Sequence, residues 1–189
     1  MNLPNLISSF RILAAPVLWY LIYVNNQPAF AWLLTAAFFT DLIDGVIARK
    51  TRQVSKLGSK LDSIGDSLTI LTGLLGLSFF RFELVQQYWI EIVIVVALHF
   101  IQLLLSLWRY GKISSFHTWS AKTAALFVGI FILVTLHFDF IPWLFYLSLL
   151  LLVIDGIEDS ILVFLLPKWE NDVKGVYWVL KKRNEGIWK

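Results

Sequence analysis

The chain has no cysteine. That excludes a disulfide framework, a thiolate nucleophile and a zinc–thiolate centre, and it leaves the redox compartment unread. Charge is scarce as well. Only 15% of the residues are Asp, Glu, Lys or Arg, against roughly a quarter in soluble domains. The other side of that scarcity is a hydrophobic fraction of 58%. A soluble fold of this length cannot hide so much apolar surface, because much of any small domain stays exposed. There is no low-complexity linker and no internal repeat, so residues 1–189 read as one integral membrane domain.

A bilayer core takes about 20 apolar helical residues. Six stretches approach that length: 12–24, 29–47, 62–80, 88–108, 120–138 and 143–165. The first is short by itself and is extended if residues 2–11 form a helix entering at the interface. The fold class expected is therefore all-α, with six transmembrane helices and an N-terminal interfacial segment. Met1-Asn2-Leu3-Pro4 lacks the basic start and small-residue cleavage site of a signal peptide, so the first span is expected to stay as an anchor.

With the N-terminus on the cytoplasmic side, the basic residues sort onto one face. Arg11, Arg49, Lys50, Arg52, Lys56, Lys60, Arg109, Lys112, Lys122, Lys168, Lys174, Lys181, Lys182, Arg183 and Lys189 fall inside, and only Arg81 falls outside. This asymmetry sets the topology. It also explains the pI of about 9.2 without nucleic acid as a partner. Trp19, Tyr20, Tyr88, Trp89, Trp108 and Trp143 gather near span ends, as interfacial aromatics do. The tail, 171–189, mixes Trp178, Val179 and Leu180 with Lys181, Lys182 and Arg183. It reads either as a short helix on the anionic inner leaflet or as a loosely ordered cytosolic tail.

Against this apolar background stands DLIDGVIARKTRQVSKLGSKLDSIGD, residues 41–66. Asp41 and Asp44 are three apart at the inner end of the second span, and Gly45 and Ala48 continue their face. Gly58, Asp62 and Asp66 recur every four residues along the third. The short basic connection forces the two helices side by side. Four carboxylates at a membrane boundary repel one another, resist desolvation and mark a functional site. Two divalent cations would balance them, and oxygen ligands favour Mg²⁺, Mn²⁺ or Ca²⁺ over zinc. Paired metals are a known device for phosphoryl chemistry. Gly45, Ala48 and Gly58 leave room for a ligand beside the backbone, although small residues also serve plain helix packing.

Asp41-x-x-Asp44-Gly45-x-x-Ala48-Arg49, then eight residues, then Gly58-x-x-x-Asp62-x-x-x-Asp66 resembles the signature of the CDP-alcohol phosphatidyltransferases at every fixed position. Eight specified residues meet by chance with a probability on the order of 10⁻¹⁰. The resemblance implies six membrane helices, a usual homodimer, and transfer of a phosphatidyl-type group from a CDP-linked donor to an alcohol with loss of CMP. It implies that Asp41, Asp44 and Asp62 ligate metal, as two Mg²⁺ or Mn²⁺ ions. Asp66 completes that site and serves as general base. Gly45, Ala48 and Gly58 make space for the nucleotide and Arg49 holds it. The opening PNLISSFRILAAP, with Asn5 and Arg11, is similar to phosphatidylglycerophosphate synthases and eukaryotic-type cardiolipin synthases, which places Asn5 with the donor. Those branches typically read Asp-Pro-x-x-Asp-Lys where this chain reads Asp62-Ser63-Ile64-Gly65-Asp66-Ser67. The departure spares the metal ligands and bears on the acceptor.

Arg109, Lys112, His117 and Lys122 fall at the inner ends of spans four and five and suit a phosphorylated acceptor, glycerol 3-phosphate before others. Positive-inside anchoring is the other reading of Arg109 and Lys112. Asp155, Glu158 and Asp159 share one face of the sixth span. They either line the cavity, favouring an amine or pairing with Lys122, or face the membrane surface. The expected reaction is phosphatidyl transfer from CDP-diacylglycerol to glycerol 3-phosphate or phosphatidylglycerol. The active site should face the cytoplasm from a multi-pass membrane protein, in the inner membrane if the cell is prokaryotic. Two alternatives are transfer from CDP-choline or CDP-ethanolamine to diacylglycerol, and a non-enzymatic divalent-cation-binding membrane protein.

Overall fold

Long apolar runs broken only at short polar turns give eight helices among the described residues. They are α1 (Leu3–Tyr23), α2 (Gln27–Thr51), α3 (Lys56–Phe80), α4 (Phe82–Gln87), α5 (Trp89–Tyr110), α6 (Trp119–His137), α7 (Pro142–Leu165) and α8 (Val176–Asn184). The computed structural model describes residues 3–51, 56–112, 116, 118–170 and 173–185. It describes the side chains of 10–40, 65–112, 116, 118–170, 173–183 and 185. No strand occurs among the described residues. Each of the six apolar stretches lies largely or wholly within one long helix. Among the described residues, α5 and α6 are long and apolar enough to cross a membrane by length and composition. Every 18-residue window of α7 contains Asp155, Glu158 and Asp159, which breaks its apolar run.

Two units are distinguished. The first holds Met1–Gln86 and Gly129–Ile141; the second holds Gln87–Val128 and Pro142–Lys189. In the first, α1, α2 and α3 pack on one another. The turn between α1 and α2 uses Asn25 at a positive φ of 56°. Asn26 then caps α2, its side-chain oxygen accepting the Ala29 N–H at 3.2 Å, with Pro28 in the first turn. Arg11, Ala14, Ala15 and Leu18 make the buried stripe of α1, and Phe30, Ala31, Leu34 and Ala37 that of α2. The buried stripe of α3 is mostly small: Gly65, Thr69, Thr72, Gly73 and Gly76, with Leu77 after them. Close approach over small residues is how helices pack where lipid removes the hydrophobic drive. Phe30 lies over Gly76 so tightly that a methyl group there would overlap its ring.

In the second unit, α5 packs along α7, and α8 packs back on α7. Gly156 admits the Leu98 side chain, and the Tyr110 hydroxyl lies 2.8 Å from the Val163 carbonyl and 2.9 Å from that of Leu166. Phe116, Leu162, Val163, Leu166, Val173 and Val179 form a buried cluster at the C-terminal end of α7. The 171–189 tail thus folds in part onto its own unit, through Val173 and Val179.

Candidate active site

The helical backbone of α2 runs unbroken through Asp41, Asp44, Gly45, Ala48 and Arg49, and that of α3 through Gly58, Asp62 and Asp66. The i, i+3 and i, i+4 relations of the motif therefore hold along continuous helices, and these two helices pack against each other. Asn5 lies on α1. The side chains of Asn5, Asp41, Asp44, Gly45, Ala48, Arg49, Gly58 and Asp62 fall outside those described, and so does His117 as a whole.

Asp66 is the motif residue whose side chain is described. Its carboxylate receives the guanidinium of Arg11 from α1. Arg11 is 1% exposed, whereas the Asp66 side chain keeps 42% of its surface open. A charge buried so fully must be paired, since an uncompensated one is far costlier than the pair. Gly65 makes the approach feasible, because a Cβ at that position would stand 3.3 Å from Arg11 Nε. Trp19 and Thr72 fix the same two helices about two turns further along, the indole N–H donating to Thr72 Oγ1 at 3.2 Å. On sequence grounds Arg11 counts among the cytoplasmic anchors, and its partner goes unseen. The signal for that partner is a lone charge inside an apolar helix, which normally has a named counter-charge.

The donor set fits a hard divalent ion. Four carboxylates lie on two packed helices, with no thiolate in the chain. Of the acceptor candidates, Arg109 Nη2 lies 3.4 Å from the Leu166 carbonyl, with its guanidinium carbon 5.9 and 6.0 Å from the ring centres of Tyr110 and Phe164. Lys112 Nζ lies 5.1 Å from the Trp169 ring centre, and Lys122 Nζ lies 5.7 Å from that of Trp119. Arg109 and Lys112 are exposed, and Lys122 sits on the first turn of α6.

Each acid of α7 meets a polar partner from another segment. Asp155 is 5% exposed and accepts from Ser120 Oγ at 3.0 Å and Thr118 Oγ1 at 3.3 Å. Ser120 also bonds Glu158. Thr118 caps α6, accepting the Ala121 N–H at 3.1 Å. Asp155 and Glu158 thus stand at the positive end of the α6 dipole. Asp159 meets Gln102 of α5 at 3.4 Å. Hydroxyl, amide and backbone partners meet these carboxylates, while Asp159 Oδ1 is buried without a hydrogen-bond partner among the described residues.

A family model described as CDP-alcohol phosphatidyltransferase matches residues 1–154. A stretch of 72 residues is 42% identical to the CDP-diacylglycerol--glycerol-3-phosphate 3-phosphatidyltransferase of Rickettsia typhi, covering 36% of this chain and 40% of that protein. The protein of the same name from Aquifex aeolicus is 32% identical over 83 residues, 44% of this chain and 47% of its own. The cardiolipin synthase (CMP-forming) of Rattus norvegicus is 44% identical over 70 residues, 36% of this chain and 23% of its own. The matched stretches thus span less than half of each relative.

Proposed function

The chain belongs to the CDP-alcohol phosphatidyltransferase family, and on that premise we propose that it transfers a phosphatidyl group from CDP-diacylglycerol to glycerol 3-phosphate, releasing CMP. The observation that carries this reading is the complete aspartate motif on two packed helices, inside the stretch that the family model matches. Names of relatives from Rickettsia typhi and Aquifex aeolicus support this acceptor. The rat relative supports a second reading, with phosphatidylglycerol as acceptor.

Asp66 takes the proton from the acceptor hydroxyl, and its half-open carboxylate is accessible for that task. The hydroxyl oxygen bonds to the lipid-bearing β-phosphorus, the bond from that phosphorus to the bridging oxygen breaks, and CMP leaves with the electron pair. Arg11 holds the Asp66 carboxylate in place through the guanidinium. Gly45, Ala48 and Gly58 make room for the cytidine, and Asn5 and Arg49 hold the donor. Two Mg²⁺ or Mn²⁺ ions held by Asp41, Asp44, Asp62 and Asp66 would neutralise the diphosphate and the departing CMP. Lys122, Arg109 and Lys112 provide positive charge for an acceptor phosphate, and His117 provides a hydrogen bond. In this reading the protein spans the membrane six times as a homodimer, with the site open to the cytoplasm and, in a prokaryote, in the inner membrane.

The test is CMP release by the purified protein in lipid nanodiscs with CDP-diacylglycerol, Mg²⁺ and one acceptor at a time. Release with glycerol 3-phosphate alone supports the proposal, and release with phosphatidylglycerol alone supports the second reading. Release only from CDP-choline or CDP-ethanolamine with diacylglycerol overturns both. Release under no condition leaves the cation-binding alternative.

A further inference from the structure

The family model ends at residue 154, so the acids of α7 and all of α8 belong to a part of the chain that the family match does not account for. This part is built in detail. Ahead of α8, the Val173 N–H donates to the Phe116 carbonyl at 3.0 Å and the Trp119 N–H donates to the Lys174 carbonyl at 3.3 Å. Gly175 follows with φ of +142°, and a Cβ there would stand 2.7 Å from Glu158 Oε1. Only glycine lets the chain close so tightly onto that carboxylate. Glu158 Oε1 accepts the Val176 N–H at 2.9 Å, so a carboxylate of α7 caps the first turn of α8. It also meets the positive end of the α8 dipole. Val179 is buried one turn later. The latch and the buried valines fix the rotation of α8 about its axis.

That rotation decides what α8 turns outward. Tyr177 is 68% exposed, Trp178 40% and Leu180 42%. Lys181 lies one turn beyond Tyr177 on the same face, and Lys182 and Arg183 follow, all three exposed. The helix packs back on α7, and exposed Lys168 and Trp169 lie in the connection between the two. A face of two aromatic rings and a leucine, bordered by consecutive cations, matches the headgroup layer of an anionic leaflet. Rings sit at the headgroup level there, and the negative surface potential attracts the basic residues.

We infer that α8 is a preformed docking face for the anionic surface of the membrane, latched by Glu158 and Gly175 so that Tyr177, Trp178, Leu180 and Lys181 meet the lipid. An ordinary amphipathic tail folds as it binds; this one is held in its bound orientation beforehand. The inference is independent of the acceptor and of the transfer chemistry.

The absence of cysteine makes the test direct. Tyr177→Cys in the full chain, carrying a polarity-sensitive fluorophore, is placed in nanodiscs of phosphatidylcholine alone or with phosphatidylserine. With phosphatidylserine, a blue shift and quenching by spin-labelled lipid are expected, both weaker in pure phosphatidylcholine. Lys181→Gln, Lys182→Gln and Arg183→Gln together should remove the difference. These three side chains are exposed, and the ion pair of Lys181 with Glu185 at 3.9 Å lies on the surface, where such pairs add little to folding. Glu158→Ala should weaken the quenching in anionic discs by releasing the orientation. A label that stays aqueous in both discs overturns the inference. So does equal burial in both, which would make the contact purely apolar. A disulfide between two Tyr177→Cys copies would overturn it in favour of a second chain as the occupant. CMP release in the same discs reports separately on the proposed chemistry.

Discussion

Arg11 on α1 and Asp66 on α3 form an ion pair across 55 positions of sequence, one partner wholly buried and the other half open. The geometry joins a fold-holding charge to the residue proposed as base. Arg11→Ala should therefore lower both stability and turnover. A loss of about 1 kcal/mol is expected, the low end for an unmatched hydrogen-bonding group, because water reaches the half-open Asp66 carboxylate; thermal unfolding in detergent reads it. Arg11→Lys should recover part of the stability and little of the turnover, since an ammonium does not reproduce the planar guanidinium. Full turnover in both variants would separate Arg11 from the site.

Asp66→Asn keeps the size of the side chain and removes its basicity. Turnover should fall by about 10²–10⁴-fold, the range of a lost general base, while the protein still binds CDP-diacylglycerol. Equilibrium binding of the donor, measured beside CMP release, distinguishes a lost base from a lost fold. Wild-type turnover would remove Asp66 from the mechanism.

Chelation of divalent ions should abolish CMP release, and added Mg²⁺ or Mn²⁺ should restore it. In Asp41→Asn and in Asp62→Asn, the Mg²⁺ midpoint should move to higher concentration because a hard anionic ligand is gone. An unchanged titration would refute both assignments.

Gly76→Ala places a methyl group within the Phe30 ring. A cost of about 1–3 kcal/mol is expected from overpacking, seen as a lower Tm. Phe30→Leu in the same chain should return part of it, because contacting residues couple. If the double variant is no more stable than the sum of the singles, the contact is not the cause.

Gly175→Ala should loosen the tail, both through its positive φ and through the clash with Glu158. Limited trypsin digestion reads this as faster cleavage at Lys181, Lys182 and Arg183. Unchanged cleavage would show that the latch does not hold α8.

The long helices are legible in the amino-acid sequence alone. Apolar runs of span length are a local property, and the six stretches find α1, α2, α3, α5, α6 and α7 with only their ends displaced. The ends differ because a helix continues through polar residues until a turn stops it, as α2 does through Lys50 and α3 from Lys56. The six-residue α4, which buries nothing, carries no such signal. The tail helix is one of two alternatives that composition allows, but its latch has no local signature.

Residue type and spacing settle the apolar helices and the aspartate motif, because each depends on one segment or two adjacent ones. Packing between distant segments settles the rest: that Arg11 serves Asp66, that Asp155 and Glu158 meet the start of α6, and that Glu158 caps α8. A buried charge must find a partner, but the order of residues does not say which one. The choice falls to whichever helices pack close enough to bring donor and acceptor within hydrogen-bond reach.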